Sequence, residues 1–86
     1  MEVENIAIAL ERTIFLLRQS ESSDYAHFSA EELINQIELE LMKIKYFNVV
    51  NREKLNYFFA PTGSLQDTAI DNGWGQEFLY LANVCT

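Results

Sequence analysis

Cysteine, proline, histidine and tryptophan each occur once in this 86-residue chain, and glycine three times. The lone Cys85 cannot close an intramolecular disulfide, so no disulfide framework supports the fold. His27 is the only histidine, which excludes a histidine-rich zinc or iron site within one chain. Gly63, Gly73 and Gly75 do not form the glycine-rich loop that cradles phosphate. Positive charge is scarce as well: 6 Lys and Arg stand against 13 Asp and Glu, a net charge of −7. Phosphate backbones need a cationic face, and anionic membranes attract polybasic segments, so neither nucleic acid nor a membrane surface is an expected partner. Apolar runs such as Ile6 to Leu10 fall far short of the ~20 residues that cross a bilayer. The first residues, Met1-Glu2-Val3-Glu4-Asn5, are acidic where a signal peptide is basic. With one thiol and an acidic first segment, the expected location is a reducing cytoplasm.

The chain is nonetheless 49% apolar and 13% aromatic, the make-up of a globular domain. Residues 1–86 read as a single domain, one small enough to bury only about 60–65% of its unfolded surface. Val3, Ala7, Leu10, Ile14 and Leu17 fall at helical spacing and predict a first helix over residues 3–18. Ile6, Ile8, Phe15 and Leu16 widen its stripe beyond what a lone small domain needs, which points to packing by several neighbours or by a second copy. Gln19 to Asp24 is a polar loop. Ser29 and Glu32 have the spacing of a capping box, and Phe28 and Leu33 that of a hydrophobic staple. The helix they open carries Ala30, Ile34, Ile37, Leu41 and Ile44 on one face, with Leu33, Leu39 and Met42 beside or behind it. Asn51 can cap a third helix, Arg52 to Ala60, ended by Pro61. Ser64 with Asp67 opens a fourth, with Leu65, Ala69 and Ile70 facing inward and Asn72-Gly73 ending it. A last helix runs from about Gly75 to Val84, with Phe78, Leu81 and Cys85 on one face. The expected fold is all-α, a bundle of four or five helices. The alternative is α+β, with a hairpin turned at Pro61-Thr62-Gly63 beside the strand-forming Tyr57-Phe58-Phe59.

The C-terminal third has helix–turn–helix spacing, with Ala69 and Gly73 four apart and apolar or small residues at Trp74, Leu79 and Ala82. Its recognition helix would be Gln76 to Val84, which carries no Lys or Arg. Residues 55–86 contain Asp67, Asp71 and Glu77 and no cation, so the spacing describes packing and not operator binding. Asp71-Asn72-Gly73 fails as a calcium loop, because the first, third and twelfth positions would be Thr68, Ile70 and Leu79. His27, Asp24 and the nearby serines share one polar loop without the anchoring that nucleophilic catalysis requires. No catalytic residue, metal ligand or cofactor is expected. Trp74, bracketed by glycines, reads as a core plug at a tight turn or as an anchor for a partner.

The stretch Pro61-Thr62-Gly63-Ser64-Leu65-Gln66-Asp67, followed by Ile70-Asp71-Asn72-Gly73-Trp74-Gly75-Gln76-Glu77-Phe78-Leu79, resembles the C-terminal signature of a family of small bacterial proteins of unknown function. In that family a TG-[SA]-LQ turn precedes an IDNGWG-x-EF segment. The signature covers about a quarter of the chain, and the leading leucine-rich helix is similar too. The resemblance implies a bacterial cytoplasmic protein and no particular activity; some such proteins sit beside toxin and immunity genes. The leading functional expectation is an acidic, non-catalytic protein-interaction module, of an immunity or antitoxin type, that inhibits a cationic partner. Its candidate interaction residues are Trp74, Asp67, Asp71, Glu77, Glu31 and Glu38, with Glu21 and Asp24 beside the last two. One alternative is self-association through the surplus apolar face of the first helix. Another is a small-ligand site lined by Tyr25, Tyr46, Tyr57 and Tyr80.

Overall fold

The computed structural model describes residues 2–23, 26–61 and 63–86. Five helices follow one another: α1 (Glu2–Arg18), α2 (Ala30–Phe47), α3 (Arg52–Phe58), α4 (Ser64–Asp71) and α5 (Gly75–Cys85). The described residues form no strand, so the fold is an all-α bundle. The hairpin alternative is thereby corrected: Tyr57 and Phe58 lie in α3. Aromatic strand propensity yields there to the Asn51 cap, whose side chain accepts the Lys54 amide at 3.1 Å.

α1 and α2 are antiparallel, as their ion pairs show. Arg18 meets Glu38, Glu11 meets Lys45, and Glu2 meets Arg52 just beyond the end of α2. α5 lies along α1 on another side, tied by Arg12 to Glu77. The core between them is apolar and closely shared. Ile6, Leu10 and Leu17 of α1, Ile37 of α2, Leu55 of α3, Leu65 of α4 and Phe78 and Leu81 of α5 are almost solvent-free. Each such side chain stabilises the fold by about 1.5–3 kcal/mol relative to exposure. Two threonines share this core, Thr13 and Thr68, because each hydroxyl donates to a carbonyl one turn back, Ala9 and Ser64 respectively.

The local signals act where residues have the geometry for them. Ser29 caps α2 by accepting the Glu32 amide at 3.2 Å. Asn48, at φ 56°, ends it in the left-handed region that asparagine tolerates. α3 ends at Phe58 rather than Ala60; Phe59 leaves the helix and turns its ring against Phe78, 5.8 Å between centroids. Every helix carries acid in its first turn: Glu2 and Glu4, Glu31 and Glu32, Glu53, Asp67, and Glu77. Much of the chain's negative charge therefore sits where it complements a helix dipole.

Three expectations change. Gly63, not Ser64, is the N-cap of α4 and has no side chain to make a cap bond, while the Ser64 hydroxyl accepts the His27 amide instead. Ile70 does not face inward; it is 59% exposed, and Thr68 takes the inward place beside Leu65 and Ala69. On a helix Ile70 lies about 100° beyond Ala69, past the edge of that short face. The third concerns Glu40: a carboxylate on a helix is ordinarily expected in solvent, but this one is buried on the Leu33, Ile37, Ile44 stripe, with the Lys43 ammonium 3.3 Å away.

Candidate functional site

The residues singled out by the C-terminal signature converge on the loop between α1 and α2. α4 ends in a Schellman motif: the Trp74 amide donates to the Ala69 carbonyl at 2.9 Å, and the Gly73 amide to Ile70 at 3.3 Å. That closure needs a residue with positive φ between them, and Gly73 supplies it at 83°. The turn delivers three side chains to the loop. Asp71 accepts the Ser23 hydroxyl at 2.5 Å. Asn72 accepts the Glu21 amide at 3.0 Å and donates to the Glu21 carbonyl at 2.7 Å, pairing with that peptide as a strand neighbour would. The Trp74 indole N–H donates to the Ser20 hydroxyl at 2.9 Å. At the other end of α4, the Ser64 hydroxyl accepts the amides of His27 and Phe28 at 2.9 and 3.2 Å. The Ala30 amide in turn donates to the Ser22 hydroxyl within the loop. α4 is thus a short bar laid along the loop and bonded to it at both ends.

This clamp decides the standing of Trp74. The ring is 8% exposed. It is the core plug of the two sequence readings, and its use as a surface anchor is corrected: burial and the bond to Ser20 leave no face for a partner. Ser20, Ser22 and Ser23 are not singled out by their sequence, because serine in a polar loop gives no sign of which backbone or ring it will meet, and Ser64 is singled out only as a helix cap.

The acidic candidates divide. Glu77 is held by Arg12 in a bidentate pair, 2.6 Å from Nε to one oxygen and 3.0 Å from Nη2 to the other. The bond from that guanidinium keeps the Glu77 carboxyl below the usual carboxylate range, and the same bond raises Arg12. Glu38 is bonded to Arg18 at 3.1 Å. Glu77 and Glu38 are therefore tied into the bundle. Asp71 is occupied by Ser23 but stays exposed; Glu31 is exposed and Asp67 half-buried. The clamp sets α4, which carries Asp67 and Asp71, against the loop that leads to Glu31: the Asn72 side chain bonds the Glu21 peptide, and the Ser64 hydroxyl the Phe28 amide. Glu77 and Glu38 are held instead against α1. Asp24 lies outside the described residues.

Five of the six cations are in ion pairs: Arg12, Arg18, Lys43, Lys45 and Arg52. The sixth, Lys54, lies over the Phe58 ring at 5.7 Å. Residues 19–42 and 55–86 contain no Lys or Arg, and these are the segments that build the acidic end.

The apolar surface is not where the first helix placed it. α1 packs most of its wide stripe against α2 and α5, with Val3, Ala7 and Leu16 half-buried against the core, and only Ile8 and Phe15 remain outward. Ile8 and Tyr80 flank a depression of about 350 Å³ between α1 and α5. The denser exposure is on and after α2, where Leu39, Met42, Tyr46, Phe47 and Val49 account for five of the eleven large apolar side chains exposed among the described residues. The tyrosines do not converge: Tyr46, Tyr57 and Tyr80 line separate depressions on α2, α3 and α5. Tyr25 lies outside the described residues.

Cys85 is fully buried on α5, and desolvation pushes its thiol up to about 12. At neutral pH it is a small apolar residue and not a nucleophile. Among the described residues no group of three His, Cys, Asp or Glu side chains is placed to hold a metal, and no helix is long and apolar enough to cross a membrane. Comparison with protein-family models, with curated proteins and with solved structures returned no match to this chain.

Proposed function

We propose that this chain is a non-catalytic, acidic protein-interaction module of the bacterial cytoplasm, an inhibitor of immunity or antitoxin type whose partner is a cationic protein. The observation that carries this reading is the acidic end. Two segments without a single cation, one of them containing α4, are bonded to each other, and they carry Glu21, Glu31, Asp67 and Asp71. A field of one sign steers a partner of the other and raises its association rate, with little demand on shape. The rest of the polar apparatus supports the same view, because Asp71, Asn72, Trp74 and the loop serines are engaged in holding the fold.

The test is capture from the source lysate at low and high salt, with Glu31→Lys/Asp67→Lys as the control chain. Glu31 is exposed and Asp67 half-buried, both in the first turn of a helix, so circular dichroism of the control chain must match that of the parent before capture is compared. A partner held at low salt, released at high salt and lost on the control is expected. A partner bound equally by the control, or none that responds to salt, contradicts the reading. A second reading, self-association, is favoured by the apolar exposure on α2, a different face of the molecule.

A further inference from the structure

α2 has two faces, and the outer one is patterned like the inner. Opposite the buried Leu33, Ile37 and Ile44, the outer face carries Asn35, Leu39, Met42 and Tyr46, spaced four, three and four. That is the spacing of a coiled-coil seam. Leu39 and Met42 are about half exposed and Tyr46 is 76% exposed, so none of the described residues covers this seam. A shallow depression of about 480 Å³ runs along it, with Glu38 and Lys45 on its edge.

We propose that the occupant is a second copy of this chain, docked antiparallel on the outer face of α2 about a two-fold axis between Glu40 and Leu41. The pattern is self-complementary about that point: Leu39 meets Met42 of the second copy, and Asn35 meets Tyr46. Each apolar residue of the central pair meets an apolar one, and the polar Asn35 meets the hydroxyl-bearing ring. The flanking charges complete the match. In an antiparallel pair the residue before one seam position lies near its counterpart on the other helix, which puts Glu38 beside Lys45 of the second copy, twice by symmetry. Within each chain Lys45 is already bonded to Glu11 at 2.9 Å and Glu38 to Arg18 at 3.1 Å. Docking joins these into an alternating row: Glu11, Lys45, then Glu38 and Arg18 of the second copy. A parallel arrangement would leave Lys45 without this partner.

The face is narrow. A helix of 18 residues is about 27 Å long, and its outer strip is smaller than the ~800 Å² per partner of a standard interface. The dimer is therefore reversible and appears with concentration. It involves a different surface from the acidic end, so it stands or falls separately from the cationic-partner reading.

Sedimentation of the full chain from about 1 to 300 µM tests it. The expected result is a shift from a 10.0 kDa species toward twice that mass. Leu39→Glu, at an exposed position, should raise the dissociation constant at least tenfold while leaving the melting temperature in place. Orientation is tested by charge. Glu38→Lys alone and Lys45→Glu alone should each weaken the dimer, by placing like charges together. An equimolar mixture of the two variants should restore it. In the mixed dimer one of the two pairs joins the introduced lysine of one chain to the introduced glutamate of the other, and the second keeps the native Lys45 with Glu38. A single 10.0 kDa species across the range overturns the proposal, as does a dimer that Leu39→Glu leaves intact. A dimer that neither charge change affects, or that the mixture does not restore, overturns the antiparallel register.

Discussion

Around α4 the polar side chains are turned inward onto the chain itself, whereas on the outer face of α2 the apolar side chains are turned out to solvent. The usual expectation is the reverse, and the contrast separates two kinds of information in the sequence. Near α4, Asn72 and Ser64 act as backbone substitutes, supplying hydrogen bonds that an irregular loop cannot make for itself, and Asp71 accepts the Ser23 hydroxyl beside them. On α2, Leu39, Met42 and Tyr46 take no part in the core, which is complete without them. A residue-specific motif here serves folding, and an ordinary helical spacing is left facing solvent.

The largest expected effect lies in the clamp. Trp74→Ala removes a buried ring and its bond to Ser20, at a cost of about 3–5 kcal/mol. Domains of this size are stable by only ~5–15 kcal/mol, so urea denaturation followed by circular dichroism should show a protein close to unfolded. Tyr46→Ala, which also removes an aromatic ring, should stay within about 0.5 kcal/mol of the parent. Equal losses in the two variants would break the contrast. Ser64→Ala comes next. It leaves the His27 and Phe28 amides without their acceptor and should cost roughly 1–3 kcal/mol, read as a lower denaturation midpoint at unchanged slope.

The helices are largely legible in the sequence. Ser29 and Asn51 announce α2 and α3 because a cap acts within one turn. Gly73 announces the end of α4 for the same reason. What is not legible depends on meetings between distant segments. Nothing near Ser64 in sequence points to Phe28, 36 residues away, so Ser64 reads as a cap when its hydroxyl serves the loop. Trp74 and Ser20 are 54 residues apart, and the choice between plug and anchor needs both. Acidity misleads in a different way. Glu77 and Glu38 look like parts of an open face until the packing of α1 brings Arg12 and Arg18 to them. The outer seam of α2 is present in the spacing of Asn35, Leu39, Met42 and Tyr46. It becomes visible only once the other side of the helix is known to be the core.

The smallest expected effect concerns Glu77, tied to Arg12 but partly solvated. Its folded carboxyl lies below the unfolded value of about 4.3, so its contribution is complete above that value and is lost as the pH falls through the lower, folded one. Glu77→Gln should therefore narrow the stability difference between neutral and strongly acidic solution, and salt should narrow it in the parent. A variant that retains the full acid sensitivity would assign it to other carboxylates.

The inward role of the signature residues is tested most directly at one amide. The Glu21 N–H sits in an irregular loop, yet it donates to the Asn72 side chain at 3.0 Å. Hydrogen exchange followed by NMR should find it protected in the parent, open in Asn72→Ala and unchanged in Tyr46→Ala. Exchange at the open-chain rate in the parent, or protection that survives Asn72→Ala, would contradict the clamp.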